Sequence, residues 1–208
     1  MTQDAKPRID RDARREAILD VAREVFLAEG YANASMSAIA AKVGGSKGTL
    51  YNYFKNKEEL FTAYMVRHCA WQQEAMFELQ TELGDIRTAL TKLGRTYLAI
   101  VLSDFNMLNF RLIVAEAERS PEIGKAFYES GPQSGAERLG GMLRLADEQG
   151  LLKVDDPIHA AHQFIGLCQN RMLKARLCNA MPEPTSQQID ADVLPAVEAF
   201  LRAYGPDR

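Results

Sequence analysis

The residues best equipped for chemistry lie close together between Ser35 and Lys57, in the run SMSAIAAKVGGSKGTLYNYFKNK. Lys47 brings a cation, Thr49 a hydroxyl and a methyl, Tyr51 and Tyr53 phenols, and Asn52 an amide. This set suits recognition more than bond making. A lysine reaches a phosphate or a guanine edge, and a threonine meets a polar base edge or a thymine methyl. Tyrosine hydroxyls bond phosphate oxygens. Gly48 lets a backbone approach closely. Residues 42–57 hold four lysines (Lys42, Lys47, Lys55, Lys57) and no Asp or Glu. Such a stretch fits a phosphate-contacting surface, and equally an ordinary solvated face.

Those side chains need elements to hold them. Ser35 can cap a short helix by accepting from a free backbone N–H. Met36, Ile39, Ala40 and Val43 then form its inward stripe. Gly44 supplies a left-handed or tight-turn conformation without steric cost. Ser46 caps a second short helix with Leu50 and Phe54 inward. Asn56 caps the next, which sets Lys57 at a helix N-terminus, where free N–H groups and the helix dipole favour a phosphate. Two short helices across a glycine turn are the unit whose second helix enters a major groove. They also occur in helical proteins that never meet DNA. Upstream, Ile18, Val21, Ala22, Val25 and Phe26 make one apolar stripe, and Gly30 is expected to stop that helix.

Composition sets the frame. The chain has 208 residues, 47% of them hydrophobic, and a net charge of −3. Residues 1–60 hold ten Lys and Arg against nine Asp and Glu, so the acidity lies in the remainder. Cys69, Cys168 and Cys178 are odd in number and none are in CxxC spacing, which argues for a reducing compartment and against a disulfide framework or zinc ribbon. The N-terminus lacks the apolar core of a signal peptide, and no apolar run is long enough to span a bilayer. The expectation is a cytoplasmic protein with no membrane partner. His159 and His162 lie one helical turn apart, but no third ligand is near, so no metal and no cofactor are expected. Phosphate loops, dinucleotide fingerprints and nucleophile elbows are absent.

Apolar spacing is helical nearly throughout, which predicts an all-α fold of nine or ten helices. Breaks are expected at Gly84-Asp85, Ser103-Asp104, Ser120-Pro121, Ser130-Gly131-Pro132, Gly150 and Asp155-Asp156-Pro157, with the longest loop over 181–186. The last helix is placed at Gln188–Tyr204. The organisation expected is a disordered tail over 1–10, a small helical module over 11–60, and a larger helical body over 61–208.

GSKGTLYNYFKNKEELF resembles the DNA-binding signature of the TetR family of bacterial regulators, and the likeness continues upstream through REAILDVAREVFLAEGYANASMSAIA. The resemblance implies an N-terminal helix-turn-helix domain on a helical ligand-binding and dimerisation domain. By position it implies phosphate contacts from Ser35, Tyr51, Tyr53 and Lys57. Base-edge contacts fall to Lys47 and Thr49, with Ser37 and Asn52 as neighbours, and the cap residue Ser46 and the close-approach residue Gly48 complete the candidate DNA-binding set. The chain departs from the family at position 45, usually β-branched and here Gly45, and at position 38, often acidic and here Ala38. Gly45 removes an apolar contact from the turn, so a looser recognition helix is expected. The later segment RLIVAEAERSPEIGKAFYESGP resembles the AefR-like C-terminal domain of that family.

The implied function is a homodimeric repressor that leaves a palindromic double-stranded DNA operator when a small, mainly apolar effector binds. A pocket for such an effector would draw on Met65, His68, Trp71, Tyr97, Phe105, Phe110, Phe127, Cys168 and Met172, a set that also describes plain core. Dimerisation would use helices near 158–178 and 188–204, through Phe164, Leu167, Leu194, Val197, Phe200 and Leu201. The alternative is a helical small-molecule-binding protein or enzyme with an inert helix-turn-helix fold.

Overall fold

The computed structural model describes residues 8–77 and 85–206, and among these residues every regular element is a helix. In chain order they are α1 (Arg8–Asn33), α2 (Met36–Val43), α3 (Lys47–Tyr51), α4 (Lys57–Phe77), α5 (Ile86–Val101) and α6 (Asp104–Ala117). Then follow α7 (Pro121–Tyr128), a π-helical turn (Glu129–Gln133), α8 (Ser134–Glu148), α9 (Pro157–Gln169), α10 (Met172–Leu177) and α11 (Ser186–Tyr204). Of the tail expected over 1–10, residues 1–7 lie outside the described residues, and Arg8 already starts α1. The break expected at Gly84 also falls outside them.

Among the described residues the chain divides into two compact units, one from the segments 1–68 and 112–127 and the other from 69–111 and 128–208. The first is built on the α1 stripe. Ile18, Leu19, Ala22, Val25 and Phe26 are buried against Met36, Ile39, Ala40, Leu50 and Phe54. Phe26 meets Phe61 edge to face at 4.9 Å, and Tyr31 meets Phe61 at 5.0 Å. Such pairs are worth ~1 kcal/mol each beyond their buried area. Ile113 and Ile123 complete this core from outside the N-terminal segment. Gly30 takes φ +76 as a stop signal should, yet the chain resumes helical turns to Asn33, so the break is a kink.

The second unit packs α8 on α9, and α11 on α5 and α9. Gly94 permits the α5–α11 approach, since a Cβ there would lie 2.9 Å from Val193 Cγ1. The stop expected at Ser130-Gly131-Pro132 is instead the π-helical turn. Buried Gln73 supports it. Its Nε2 donates to the Ser130 and Gly131 carbonyls at 2.7 and 3.2 Å, and its Oε1 accepts from Ser134 Oγ at 3.1 Å. The Gln73 amide thus adds side-chain bonds to carbonyls of the turn, and Gly131 O also accepts from Ser134 N. The helix expected over 158–178 is broken at Asn170, which separates α9 from α10. The final helix starts at Ser186, two residues earlier than expected, because Thr185 and Gln188 form a reciprocal capping box. Among the described residues no single helix is long and apolar enough to cross a membrane, and no cluster of three or more His, Cys, Asp or Glu could hold a metal ion.

Candidate nucleic-acid interface

The recognition unit forms as its cap residues dictate. Ser35 accepts from Ala38 N at 3.1 Å and starts α2, even without an acid at position 38. The α2 terminus is a left-handed glycine cap. Gly44 has φ 73 and ψ 42, its N–H donates to Ala41 O, and Gly45 N–H donates to Ala40 O. That bond pattern is the Schellman arrangement. Ser46 then starts α3 by accepting from Thr49 N at 3.1 Å, and its hydroxyl pairs with Thr49 Oγ1 at 2.9 Å. Leu50 and Phe54 are buried beneath, which fixes the opposite face outward.

That outward face gathers the polar groups. Ser35, Ser37, Ser46, Lys47, Gly48, Tyr51 and Asn52 are exposed, and Thr49 and Tyr53 are half-buried. Lys47 Nζ lies 5.9 Å from the Tyr51 ring centre. The α1 arginines, which sequence reasoning missed, flank the same unit. Arg11 lies 5.9 Å over the Tyr53 ring and Arg15 5.2 Å over Phe54. Nη2 of Arg14 lies 3.4 Å from Val43 O and 3.5 Å from Gly44 O. Their three- and four-residue spacing was the available signal, since it puts them on one helix face. Near-neutral charge over residues 1–60 concealed it.

Lys57 differs from the expectation. Its ammonium donates to the Tyr31, Ala32 and Ala34 carbonyls at 2.7, 3.2 and 3.0 Å. An ammonium has three donors, so all are engaged within the protein. Burial pushes the Tyr31 phenol pKa up, and Glu58 and Glu116 add to the effect, so the ring beside Lys57 stays neutral. The α4 N-terminus is capped within the chain, and its first turn carries Glu58 and Glu59. Asn56 Oδ1 caps Glu59 N at 2.7 Å, and Glu59 in turn accepts from Lys55 N at 2.7 Å.

The residues expected to line an effector pocket are distributed over both compact units. In the first unit Met65 is buried core, His68 stacks on Tyr64 with ring centres 6.1 Å apart, and Phe127 packs against the same core. In the second unit Cys168 and Met172 are buried, Tyr97 and Phe110 pack against that core, and Phe105 is half-buried. The Tyr97 hydroxyl accepts from Gln169 Nε2, and burial raises its pKa. Trp71 is 63% exposed and lies outside any core. The expected dimer residues also separate. Phe164, Val197 and Phe200 are buried within one chain, with Phe164 and Phe200 edge to face at 5.3 Å, and Leu201 packs against them. Leu167 and Leu194 remain 38% and 47% exposed.

Comparison with known proteins gives this geometry a context. Residues 18–64 match the family model for bacterial regulatory proteins of the tetR family, and residues 88–206 match that for the AefR-like transcriptional repressor C-terminal domain. The chain is 26% identical to the HTH-type transcriptional repressor Rv1474c of Mycobacterium tuberculosis over 200 residues, 94% of this chain and 98% of that one. It is 46% identical to the HTH-type transcriptional activator FasR of Mycolicibacterium smegmatis over 61 residues, 29% of this chain and 28% of FasR. A crystal structure described as a TetR-family regulator from Mesorhizobium loti superposes with a TM-score of 0.86 at 28% identity, over 96% of this chain and 100% of that one. The flavonoid-responsive regulator FrrA gives 0.82 at 30% identity, over 95% and 100%.

Proposed function

The chain belongs to the TetR family of bacterial transcriptional regulators, and from that premise we propose that it is a homodimeric, effector-responsive repressor of a palindromic operator. One observation carries the DNA-reading half of this reading. The capped α3 presents Lys47, Gly48 and Thr49 on an outward face, with Tyr51 and Tyr53 beside it. In this reading Lys47 and Thr49 meet base edges, and Ser35, Tyr51 and Tyr53 hold phosphates. Ser37, Ser46 and Asn52 border them. Lys57 contributes through the α4 N-terminus that its side chain anchors.

A single short recognition helix reads only a few base pairs. Two copies about 34–36 Å apart read a palindrome, which favours a dimer. Exposed Leu167 on α9 and Leu194 on α11 give the second copy an apolar footing. The name of FrrA supports a small-molecule effector, and Tyr97, Cys168 and Met172 of the second unit are the residues through which we would seek it. The effector must bind the DNA-free arrangement more tightly, and DNA must weaken its binding by the same factor.

The test pairs Lys47→Ala with Tyr53→Phe, on a duplex that the wild-type chain selects from a random pool. Loss of affinity for the selected duplex, with discrimination relaxed at the base pair that Lys47 meets, supports the reading. Unchanged binding, or wild-type chain that remains monomeric at micromolar concentration with or without DNA, overturns it.

A further inference from the structure

We infer that Arg14 is a positioning residue for the recognition helix, its guanidinium standing in for the side chain that Gly45 lacks. The inference rests on the DNA-binding reading above and names a part of its machinery.

A Schellman terminus is commonly sealed by an apolar contact from the residue two places past the helix end back to its last turn. Here that residue is Gly45, whose N–H makes the long closing bond to Ala40 O. Nothing in the backbone demands glycine, because the positive φ of this turn belongs to Gly44 alone. The missing side chain leaves a small hollow lined by Arg14, Ile18, Ala40, Val43, Ser46, Thr49 and Leu50. Arg14 closes it. A Cβ built on Gly45 would lie 3.0 Å from Arg14 Nη2 and 3.8 Å from Thr49 Cβ. The same nitrogen approaches the Val43 and Gly44 carbonyls. These lie at the negative end of α2, where a cation is favoured. One guanidinium thus joins α1, the end of α2 and the residue that precedes the α3 cap. With α3 only five residues long, its orientation depends on such supports.

The experiment exchanges the two props. Arg14→Ala, Gly45→Val and the double variant are compared with wild type on the self-selected duplex and on an unselected duplex of equal length. Arg14→Ala should lose about tenfold or more on the selected duplex and little on the unselected one, with the salt slope kept, because orientation and not charge is lost. Adding Gly45→Val should recover most of that loss, since valine fills the hollow from the other side. If Arg14→Ala binds like wild type, Arg14 positions nothing. Equal loss on both duplexes, a slope lower by about one and no rescue make Arg14 a phosphate contact and overturn the inference. Should the wild-type chain select no duplex, the DNA-binding reading fails, and melting still tests the prop. Gly45→Ala should raise the midpoint more in the Arg14→Ala background than alone, and equal effects would show that the two sites are uncoupled.

Discussion

The Lys57 ammonium lies 4.5 Å from the centre of the Tyr31 ring and donates to the carbonyl of the same residue at 2.7 Å. Together with its bonds to Ala32 O and Ala34 O, this ties the first residue of α4 to the end of α1. A residue whose type and position suggest a DNA contact is therefore part of the frame. Lys57→Ala should lower unfolding free energy by ~1–3 kcal/mol, the cost of stranding hydrogen-bonded carbonyls. Its effect on the salt slope of DNA binding should be well under one. Urea melts and binding at several salt concentrations check both. Unchanged stability with a slope lower by about one would return the side chain to the phosphates.

Ser46 separates stability from recognition in one position. Its hydroxyl caps Thr49 N and pairs with the Thr49 hydroxyl. Ser46→Ala should cost ~1 kcal/mol of stability, the usual worth of an N-cap. Ser46→Asp keeps the cap and adds a negative charge on the exposed face. It should melt near wild type yet bind DNA more weakly at low salt, with the difference shrinking as salt rises. If aspartate bound as well as serine, the face around α3 would not meet phosphate.

Much of the first unit was legible in the sequence because its signals are local. The Ser35, Ser46 and Asn56 caps, the left-handed Gly44 and the inward Leu50 and Phe54 each follow from a few neighbouring residues. What escaped depends on distant partners. Arg14 acts 29 residues from the carbonyl it approaches, and Lys57 acts 26 residues from Tyr31. Ser130-Gly131-Pro132 reads as a stop because nothing nearby announces that Gln73 will bond to its carbonyls. Phe164 and Phe200 have the composition of an interface and the burial of a core, and spacing alone does not distinguish the two.

Gly94 tests how tightly α5 and α11 are packed. A Cβ there would meet Val193 Cγ1 at 2.9 Å and Cys168 Sγ at 3.4 Å. Alanine gains helix propensity, worth ~1 kcal/mol, but must move a buried valine in a filled core, at a cost of ~1–3 kcal/mol. Gly94→Ala should therefore be net destabilising, and combined with Val193→Ala it should cost less than the sum of the two single variants. A rise in thermal midpoint for the single variant would mean that the two helices separate freely.

The cysteines should differ sharply in reactivity. Cys178 is exposed, whereas Cys69 and Cys168 are buried. Burial, reinforced by the negative charge of Asp192, pushes the Cys168 thiol up to about 12 from 9.0. Burial raises Cys69 as well, offset in part by a hydrogen bond with Ser130. The thiolate is the nucleophile, so iodoacetamide at pH 8 should label Cys178 first and leave Cys168 intact until the fold opens. The same shift has a stability consequence. Below pH 9 both folded and unfolded chains keep the Cys168 proton, and its contribution is fully present. Between 9 and about 12 the unfolded chain releases the proton and the folded chain does not. Unfolding is then favoured by up to ~1.4 kcal/mol per pH unit for this one group. Denaturant midpoints taken from pH 8 to 10 should fall more steeply for wild type than for Cys168→Ala. Parallel slopes, or labelling of Cys168 as fast as Cys178, would mean that this thiol titrates as if in water.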